Sequence, residues 1–436
     1  MADATAKERG EAKRGGKISK IWIWSIIGLF CASIALGAGL GFGLTRNKDK
    51  SAESESSPSS QSSSQSLETI ESMRAQYNLP GYAVGQSRNG TFLSLVTGVR
   101  KEGAAPLITP NDTFHIGSLT KAMTATLLAS FIREGLFSWD TTIADALPEL
   151  SSVMDPGHRD TTLAMLTSQF SGINDTWSSN LTFLEEMYNP ALAPSDGRLE
   201  VARRVLSQPP ASTPNTTWTY ANSNYVLVGL ILELRTNATW EEQMQSRLFA
   251  PLNMTGCGFG PNPEALNTSI DNPWPHIPDP NTGRPVPFEG VELRYRDNPP
   301  PLGPAGTVHC PMQSYAKFLR LHIDGIHQNA SGASLPWYNL TTSDFQFLHT
   351  RWNPAANSET GSRYTPGGFW TRGTMILEHN GSNNLNAGHV YILIGDSAEY
   401  STFGFTFTNV GGDRSLLAVL TGVDQMLRGD LDLFKQ

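Results

Sequence analysis

The sequence contains two Ser-x-x-Lys motifs, Ser118 to Lys121 and Ser314 to Lys317. Residues three apart share one face of a helix, so a serine hydroxyl and a lysine amine can come within hydrogen-bond reach. A lysine whose pKa is lowered by burial can accept the serine proton and so generate a nucleophile. Such a short motif arises by chance in a chain of 436 residues, so it does not identify a site by itself.

The first motif is favoured because it stands at a predicted strand-to-helix junction. The β-rich run 113–116 leads to Gly117, and from Ser118 apolar residues recur every four positions up to about Arg133. A serine at such a junction can be exposed, and the free N–H groups of the helix start favour negative charge. Ser314 lies inside a helical pattern, where a capping role is expected.

Two further motifs carry groups that complement a Ser/Lys pair. Tyr220 is the only tyrosine with asparagine two positions on, Asn222. The phenol can share the proton, and the amide can hold a substrate carbonyl and the lysine. At His379, a cation or hydrogen-bond donor would polarise the substrate, Gly381 would allow close approach, and the N–H of Ser382 would point into the site. The alternatives are a buried tyrosine that caps a helix and a surface histidine in a turn.

These motifs must be positioned by strands from both chain ends with helices between them. The pattern predicts an α/β (α+β) fold, in which an antiparallel sheet from both termini is flanked by helices and interrupted by a mostly helical subdomain at about 137–310. The irregular, proline-rich segment 271–304 is expected to be a lid or wall over a site. The predicted strands lie at 81–99 (a hairpin), 368–377, 389–394 and 402–409, and the predicted helices at 67–77, 222–233, 241–252, 313–324 and around 416–427.

The N-terminal region predicts a membrane anchor. Residues 21–45 carry no charge and are long enough to span a bilayer, and the preceding residues 1–20 are rich in Lys and Arg. We therefore expect a single-pass type II signal anchor with a cytoplasmic tail, a disordered Ser-rich linker at 46–66, and a catalytic domain at 67–436 that is lumenal or extracellular. A cleaved signal peptide would have a shorter apolar region. The transmembrane glycines could seat a homodimer, although glycine is common in membrane helices: Gly37, Gly39, Gly41 and Gly43.

Asn-x-Ser/Thr sequons are frequent after the apolar segment and absent before it. With the predicted topology they indicate a eukaryotic, glycosylated ectodomain. An eleventh sequon, Asn380, is expected to be bare because it lies within the His379 motif. The ten expected acceptors are Asn89, Asn111, Asn174, Asn180, Asn215, Asn237, Asn253, Asn267, Asn329 and Asn339.

Other chemistries are disfavoured. The net charge is −8 and basic residues are scattered beyond the N-terminus, which argues against nucleic-acid binding. The sequence has no Cys-x-x-Cys, His-Glu-x-x-His or Gly-x-Ser-x-Gly, so we expect no metal, no cofactor and no α/β-hydrolase site. Cys31 lies in the apolar segment. Cys257 and Cys310 are expected to be unpaired, with a single bridge between them as the alternative.

In order and spacing, the three motifs resemble the serine β-lactamase family, which includes class C β-lactamases, penicillin-binding proteins, esterases and fungal acyltransferases. The blocks 113–121, 163–172, 220–229 and 303–307 share this resemblance, which extends over about 67–436. It implies that Ser118 is the acylated nucleophile and Lys121 its base, and that Tyr220 and Asn222 complete the proton network. It also implies an oxyanion hole formed by the amides of Ser118 and Ser382.

His379 departs from the lysine usual in β-lactamases and penicillin-binding proteins, and histidine occurs in the family's esterases and peptidases. The resemblance therefore implies a serine hydrolase acting on a small-molecule ester, lactone or amide, and we expect a eukaryotic, fungal source. Three alternatives stay open: acyl transfer to an alcohol or amine in fungal secondary metabolism, a true β-lactamase, and a non-catalytic receptor or scaffold of the same fold.

Overall fold

The structure is a computed structural model that describes residues 60–261, 270–331, 337–352 and 363–435. The predicted tail, the anchor at 21–45 and the first part of the linker lie outside the described residues. Within those residues, no helix has both the length and the apolar character needed to cross a membrane.

A six-stranded antiparallel sheet joins strands from the two ends of the chain, in the order β2-β1-β11-β10-β9-β8. Two small sheets have the orders β3-β7-β4 and β5-β6. The strands are β1 (Gly81–Arg88), β2 (Thr91–Gly98), β3 (Thr113–His115), β4 (Gly258–Phe259), β5 (His276–Pro278), β6 (Pro285–Pro287), β7 (Val308–Pro311), β8 (Trp370–Arg372), β9 (Ile376–Ser382), β10 (Ala387–Leu393) and β11 (Thr402–Thr408).

Helices flank the sheet, and most of them come between its N-terminal strands β1 and β2 and its C-terminal strands β8 to β11 in chain order. This arrangement confirms the predicted α/β architecture. They are α1 (Ser60–Tyr77), α2 (Thr120–Arg133), α3 (Ile143–Ala146), α4 (Leu163–Thr167), α5 (Leu181–Met187), α6 (Pro194–Leu206), α7 (Asn222–Thr236), α8 (Trp240–Met244), α9 (Gly303–Gly306), α10 (Met312–Ser331), α11 (Thr342–His349) and α12 (Asp413–Arg428).

The predicted hairpin at 81–99 is confirmed. Asn89 and Gly90 both have positive φ, 50° and 75°, as a two-residue turn between twisted strands requires. The run 368–377 was predicted as one strand and is two, because the chain turns at Gly373 between β8 and β9. The segment 271–304 was predicted to be irregular throughout, but it contains the short β5-β6 ladder.

The predicted linker at 46–66 is wrong for its last residues, since α1 begins at Ser60. The hydroxyl of Ser66 donates to the carbonyl of Asp432 over 3.1 Å, and Ser66 is buried. Ile70 and Met73 of the same helix pack in a core with Val423 of α12. These contacts with α12 and with the residues after it, which local composition does not encode, stabilise a helix in a Ser-rich segment.

Helix α2 is the centre of the molecule, because every residue from Thr120 to Phe131 is buried. A helix that is covered on all sides gains its stability from packing rather than from an exposed polar face. The fold thus places the lysine of the first Ser-x-x-Lys motif in the protein interior.

Cys257 and Cys310 form a disulfide bond, so the expectation of two unpaired cysteines is wrong. The reason lies in strand pairing: Gly258 of β4 is the register partner of His309 of β7. The neighbouring cysteines then face each other, with their Cα atoms 4.1 Å apart. The sequence could not supply this register.

Candidate active site

Ser118 lies in a single 3₁₀ turn, Gly117–Leu119, between β3 and α2. The α-helix was expected to begin at Ser118, but it begins at Thr120. Gly117 has φ +53°, a conformation that favours glycine. The preceding strand is held by β7, since the N–H of Ile116 donates to the carbonyl of Val308. This backbone presents the serine at the start of the buried helix.

The amine of Lys121 is fully buried and lies within hydrogen-bond distance of three oxygens. Its Nζ is 3.0 Å from Ser118 Oγ, 2.8 Å from Asn222 Oδ1 and 2.7 Å from the Ala305 carbonyl. Burial lowers the pKa of Lys121 to about 7, and the charge of Asp175 acts in the opposite direction. The neutral amine is therefore well populated at neutral pH.

The three partners determine how a neutral Lys121 is oriented. The oxygens of Asn222 and Ala305 can only accept, so they take the two amine protons. The lone pair then faces Ser118 Oγ. This is the orientation that a general base requires.

The hydroxyl of Tyr220 donates to Ser118 Oγ over 2.9 Å. Burial raises the pKa of Tyr220 well above that of an ordinary phenol, so the hydroxyl keeps its proton at neutral pH. Ser118 Oγ therefore accepts from Tyr220, and its own proton is directed towards Lys121. The structure brings all four residues, Ser118, Lys121, Tyr220 and Asn222, into one hydrogen-bonded cluster.

Gly381 and Ser382 of β9 lie directly against the turn Gly117–Leu119 that carries Ser118. A Cβ on Gly117 would overlap the backbone nitrogen of Ser382, and a Cβ on Gly381 would overlap the carbonyl oxygen of Ile116. Only glycine permits this approach at either position. The backbone N–H groups of Ser118 and Ser382 are thereby placed on the two segments that border the serine.

His379 is buried and hydrogen-bonded at both ring nitrogens. Nδ1 is 2.5 Å from the carbonyl of Asn380, which can only accept, so Nδ1 carries the proton. Nε2 then accepts from the hydroxyl of Tyr364 at 3.0 Å. Burial, and then the charge of Lys121, lower the pKa of His379 to about 3. The sequence predicted a cation or a hydrogen-bond donor at this position; with this pKa the ring is neutral at neutral pH, and its role towards the substrate stays a prediction.

A series of aromatic side chains in contact with one another begins at Tyr220. The ring of Trp218 lies 6.4 Å from that of Tyr220 and 4.8 Å from that of Trp370, and Tyr364 lies 5.0 Å from Trp370. Trp218 and Trp370 are half-buried. We call Trp218, Tyr220, Tyr364 and Trp370 the aromatic wall. No sequence pattern predicted the aromatic wall, because its members are far apart along the chain. Trp218 and Tyr220 belong to one loop, whereas Tyr364 and Trp370 come much later.

Sequence reasoning also missed an acidic residue next to the turn that carries Ser118. The N–H of Gly117 donates to His115 Nδ1 over 3.1 Å, and His115 Nε2 lies 2.7 Å from Asp297 Oδ1. The same carboxylate oxygen accepts from Asn383, next to Ser382, over 2.9 Å. Asp297 therefore braces both backbone segments that border Ser118.

The second Ser-x-x-Lys motif is not a catalytic pair. The hydroxyl of Ser314 donates to the carbonyl of Thr255, and the amine of Lys317 donates to the carbonyl of Asn253. Each side chain therefore binds a different backbone oxygen, and neither bonds the other. Across the described ranges, no group of three or more His, Cys, Asp or Glu could hold a metal ion.

A family model described as Beta-lactamase matches residues 68–418. The chain belongs to the β-lactamase family. This family comprises serine hydrolases, among them β-lactamases, amidohydrolases and carboxypeptidases. The match covers every residue of the Ser118 cluster.

Penicillin-binding protein 4 of Amycolatopsis lactamdurans is 27% identical over 257 residues, which are 59% of this chain and 63% of that protein. The chain thus spans less than two thirds of this relative. An octameric penicillin-binding protein homologue from Pyrococcus abyssi has a similar structure, with TM-score 0.64 and 20% identity over 84% of this chain and 77% of the other. A D-amino acid amidase from Ochrobactrum anthropi has TM-score 0.60 and 19% identity over 84% and 96%.

Proposed function

We propose that the protein is a serine hydrolase that forms an acyl-enzyme on Ser118 and acts on an uncharged ester, lactone or amide. The observation that carries the proposal is the environment of Lys121, whose buried amine has two accept-only partners besides Ser118 Oγ. A base with a pKa near the working pH is the most effective.

In acylation, Ser118 Oγ attacks the substrate carbonyl carbon while its proton passes to Lys121. The electron pair of the carbonyl moves onto oxygen, where the backbone N–H groups of Ser118 and Ser382 stabilise it. When the oxyanion collapses, the bond to the leaving group breaks. Tyr220 donates a proton to the leaving group and recovers one from the Lys121 ammonium. Asn222 holds the amine throughout.

Deacylation repeats these steps with water as the nucleophile. Water gives a proton to the same amine and attacks the acyl carbon, and Ser118 Oγ leaves with a proton supplied through Tyr220. The net reaction is hydrolysis of one acyl bond, and no cofactor is required. Each group returns to its starting protonation state.

Neutral His379 supports a substrate without a carboxylate at this position. A histidine with a pKa of about 3 cannot pair with an anion by charge at neutral pH. A β-lactam bearing a carboxylate would lose this attraction, which is why we place ester, lactone or amide substrates first. The aromatic wall supports an apolar group on the Tyr220 side of the scissile bond. A solved relative of similar fold is named as an amidase, which is compatible with this substrate class.

We further propose that residues 21–45 anchor the enzyme and that the catalytic domain lies outside the cytoplasm. The disulfide between Cys257 and Cys310 supports an oxidising compartment. Seven of the expected glycan acceptors are exposed, namely Asn89, Asn111, Asn174, Asn180, Asn237, Asn253 and Asn339. Asn215 is half-buried, Asn329 lies in α10, and Asn267 is outside the described residues. A eukaryotic source and a homodimer through the anchor stay predictions.

The test is covalent labelling with a fluorophosphonate, followed by peptide mass mapping of the adduct. We expect the adduct on Ser118, lost in Ser118→Ala and unchanged in Ser314→Ala, the serine of the second motif. An unlabelled wild-type protein, or labelling that survives Ser118→Ala, contradicts the proposed function.

A further inference from the structure

One loop, 168–177, holds the first turn of α7, the helix that follows Tyr220 and carries Asn222. The first N–H groups of a helix have no partner within it and must find one elsewhere. Here the side chain of Ala221 at the N-cap position cannot supply one. Gln169 and Asp175 supply the acceptors instead.

The acceptors match the helix start residue by residue. Gln169 Oε1 accepts from the N–H of Ala221 over 2.9 Å, and Asp175 Oδ2 accepts from that of Asn222 over 2.8 Å. Asp175 Oδ1 accepts from the N–H of Ser223 over 3.1 Å and also from its hydroxyl. Three successive backbone groups between Tyr220 and the body of α7 are thus fixed from one side.

Asp175 is itself held in place. The indole N–H of Trp177 donates to Asp175 Oδ1 over 2.9 Å and to the Ser223 hydroxyl over 2.6 Å. Gln169 has φ +70°, a conformation that a residue with a side chain adopts at a cost. A loop with this strain and so many bonds to one helix end has a defined position.

We propose that Asp175 is a positioning residue of the Ser118 site. It holds the first turn of α7 so that Asn222 meets Lys121, and it supplies a carboxylate charge within electrostatic range of that amine. The inference rests on the proposed function and adds a residue that does not touch the reacting atoms.

The charge has a defined effect on the base. Burial lowers the pKa of Lys121, whereas Asp175 raises it. The other titratable groups around the amine are neutral at the working pH: the rings of Tyr220 and Tyr225, 4.8 Å and 5.7 Å from Nζ, and His379. Without the carboxylate, the pKa of Lys121 falls, and the amine stays neutral to lower pH.

The experiment measures the rate of fluorophosphonate labelling of Ser118 from pH 5 to 9. In the wild type, the rate rises with a midpoint near pH 7, where Lys121 loses its proton. We expect Asp175→Asn to move the midpoint down by about half to one pH unit and to lower the plateau rate about five- to tenfold. Asp175→Glu, which keeps the charge, retains the wild-type midpoint with a reduced plateau.

Asp155→Asn is the matched control. Asp155 likewise accepts a backbone N–H at the start of a short helix, that of Gly157 at 2.8 Å, but in a separate turn, Pro156–His158, whereas Gln169 and Asp175 bond the first N–H groups of α7. This variant should keep the wild-type midpoint and plateau. The control therefore distinguishes the general effect of removing a capping carboxylate from the specific effect of removing Asp175.

A folded Asp175→Asn protein with the wild-type midpoint overturns the inference. If that variant does not fold, Asp175→Ser, which keeps an uncharged acceptor, takes its place in the comparison. Unfolding of both variants would also overturn it, because it would assign Asp175 to stability alone. Failure of the proposed function looks different, since the wild type would then not be labelled at Ser118.

Discussion

The α-carbon of Gly117 faces the backbone nitrogen of Ser382 so closely that no side chain fits between them. Gly117 immediately precedes Ser118, and Ser382 ends β9. The sheet edge and the helix start therefore meet backbone to backbone at the place where the oxyanion is expected. The distance between these two backbone segments determines whether the N–H groups of Ser118 and Ser382 can both donate to one oxygen.

Gly117→Ala should therefore lower the rate of Ser118 labelling by about 10²-fold or more, because the methyl group separates the two donors. The control is Gly103→Ala, which also has positive φ, +77°, but has no atom within 4 Å of the added Cβ. Both variants incur backbone strain, because each places a side chain at positive φ. Only Gly117→Ala also puts a methyl group against Ser382, so only this variant should lose labelling of Ser118. Equal labelling rates in the two would show that the contact is not needed.

Lys121 makes stability depend on pH in a predictable direction. Its folded pKa, about 7, lies below its ordinary value of 10.5, so the unfolded chain binds the extra proton between these values. The folded state is thus penalised at neutral pH, and the penalty fades as pH rises to 10.5. Relative to Lys121→Met, the wild type should gain about 1.4 kcal/mol of unfolding free energy per pH unit from pH 8 to 9.5.

Urea denaturation of both proteins at several pH values measures this difference. Lys121→Met should also abolish labelling of Ser118. A difference that stays constant with pH would show that the buried amine is not neutral in the folded protein.

His379→Lys should shift substrate preference towards anions, because it introduces an ammonium where the wild-type ring is neutral. The measurement compares kcat/KM for a p-nitrophenyl ester with that for the same ester carrying a carboxylate. We expect the wild type to prefer the neutral ester. In His379→Lys, kcat/KM for the neutral ester divided by kcat/KM for the carboxylate ester should fall about tenfold, equivalent to ~1.4 kcal/mol. His379→Gln adds no charge and should leave this ratio unchanged. A lower ratio in His379→Gln would show that side-chain packing at this position, and not charge, sets the substrate preference.

Removing the disulfide should cost stability. The bond closes a loop with a sequence separation of 53, for which loop-closure entropy gives about 4 kcal/mol, and a disulfide typically contributes about 2–4 kcal/mol. Cys257→Ser should lower the unfolding free energy by this amount in thermal or urea denaturation, and reductant should do the same to the wild type. Cys31→Ser serves as the control. Insensitivity of the wild type to reductant would indicate that the two cysteines are not bonded in solution.

The residues that sequence could identify are those whose roles depend on short spacing. Ser118 with Lys121, and Tyr220 with Asn222, are each two or three positions apart, and the order of the motifs along the chain selected between the two Ser-x-x-Lys pairs. The same reasoning gave the hairpin at β1-β2, because its Asn-Gly turn is local.

What sequence could not give depends on distant contacts. Asp175 acts on a helix 47 positions away, and Asp297 pairs with His115, which lies far earlier in the chain. The neutrality of His379 follows from burial and from the charge of Lys121, neither of which its neighbours in sequence reveal. The pairing of Cys257 follows from the register of β4 and β7.

The pairing of β1 with β11 has a consequence for synthesis on the ribosome. Tyr82 of β1 is the register partner of Thr408 of β11, so the central sheet cannot form completely until β11 has been translated. Ser382, on the late strand β9, reaches Gly117 only then. Nascent chains should thus be unable to acylate Ser118, even when the serine and its lysine have long emerged.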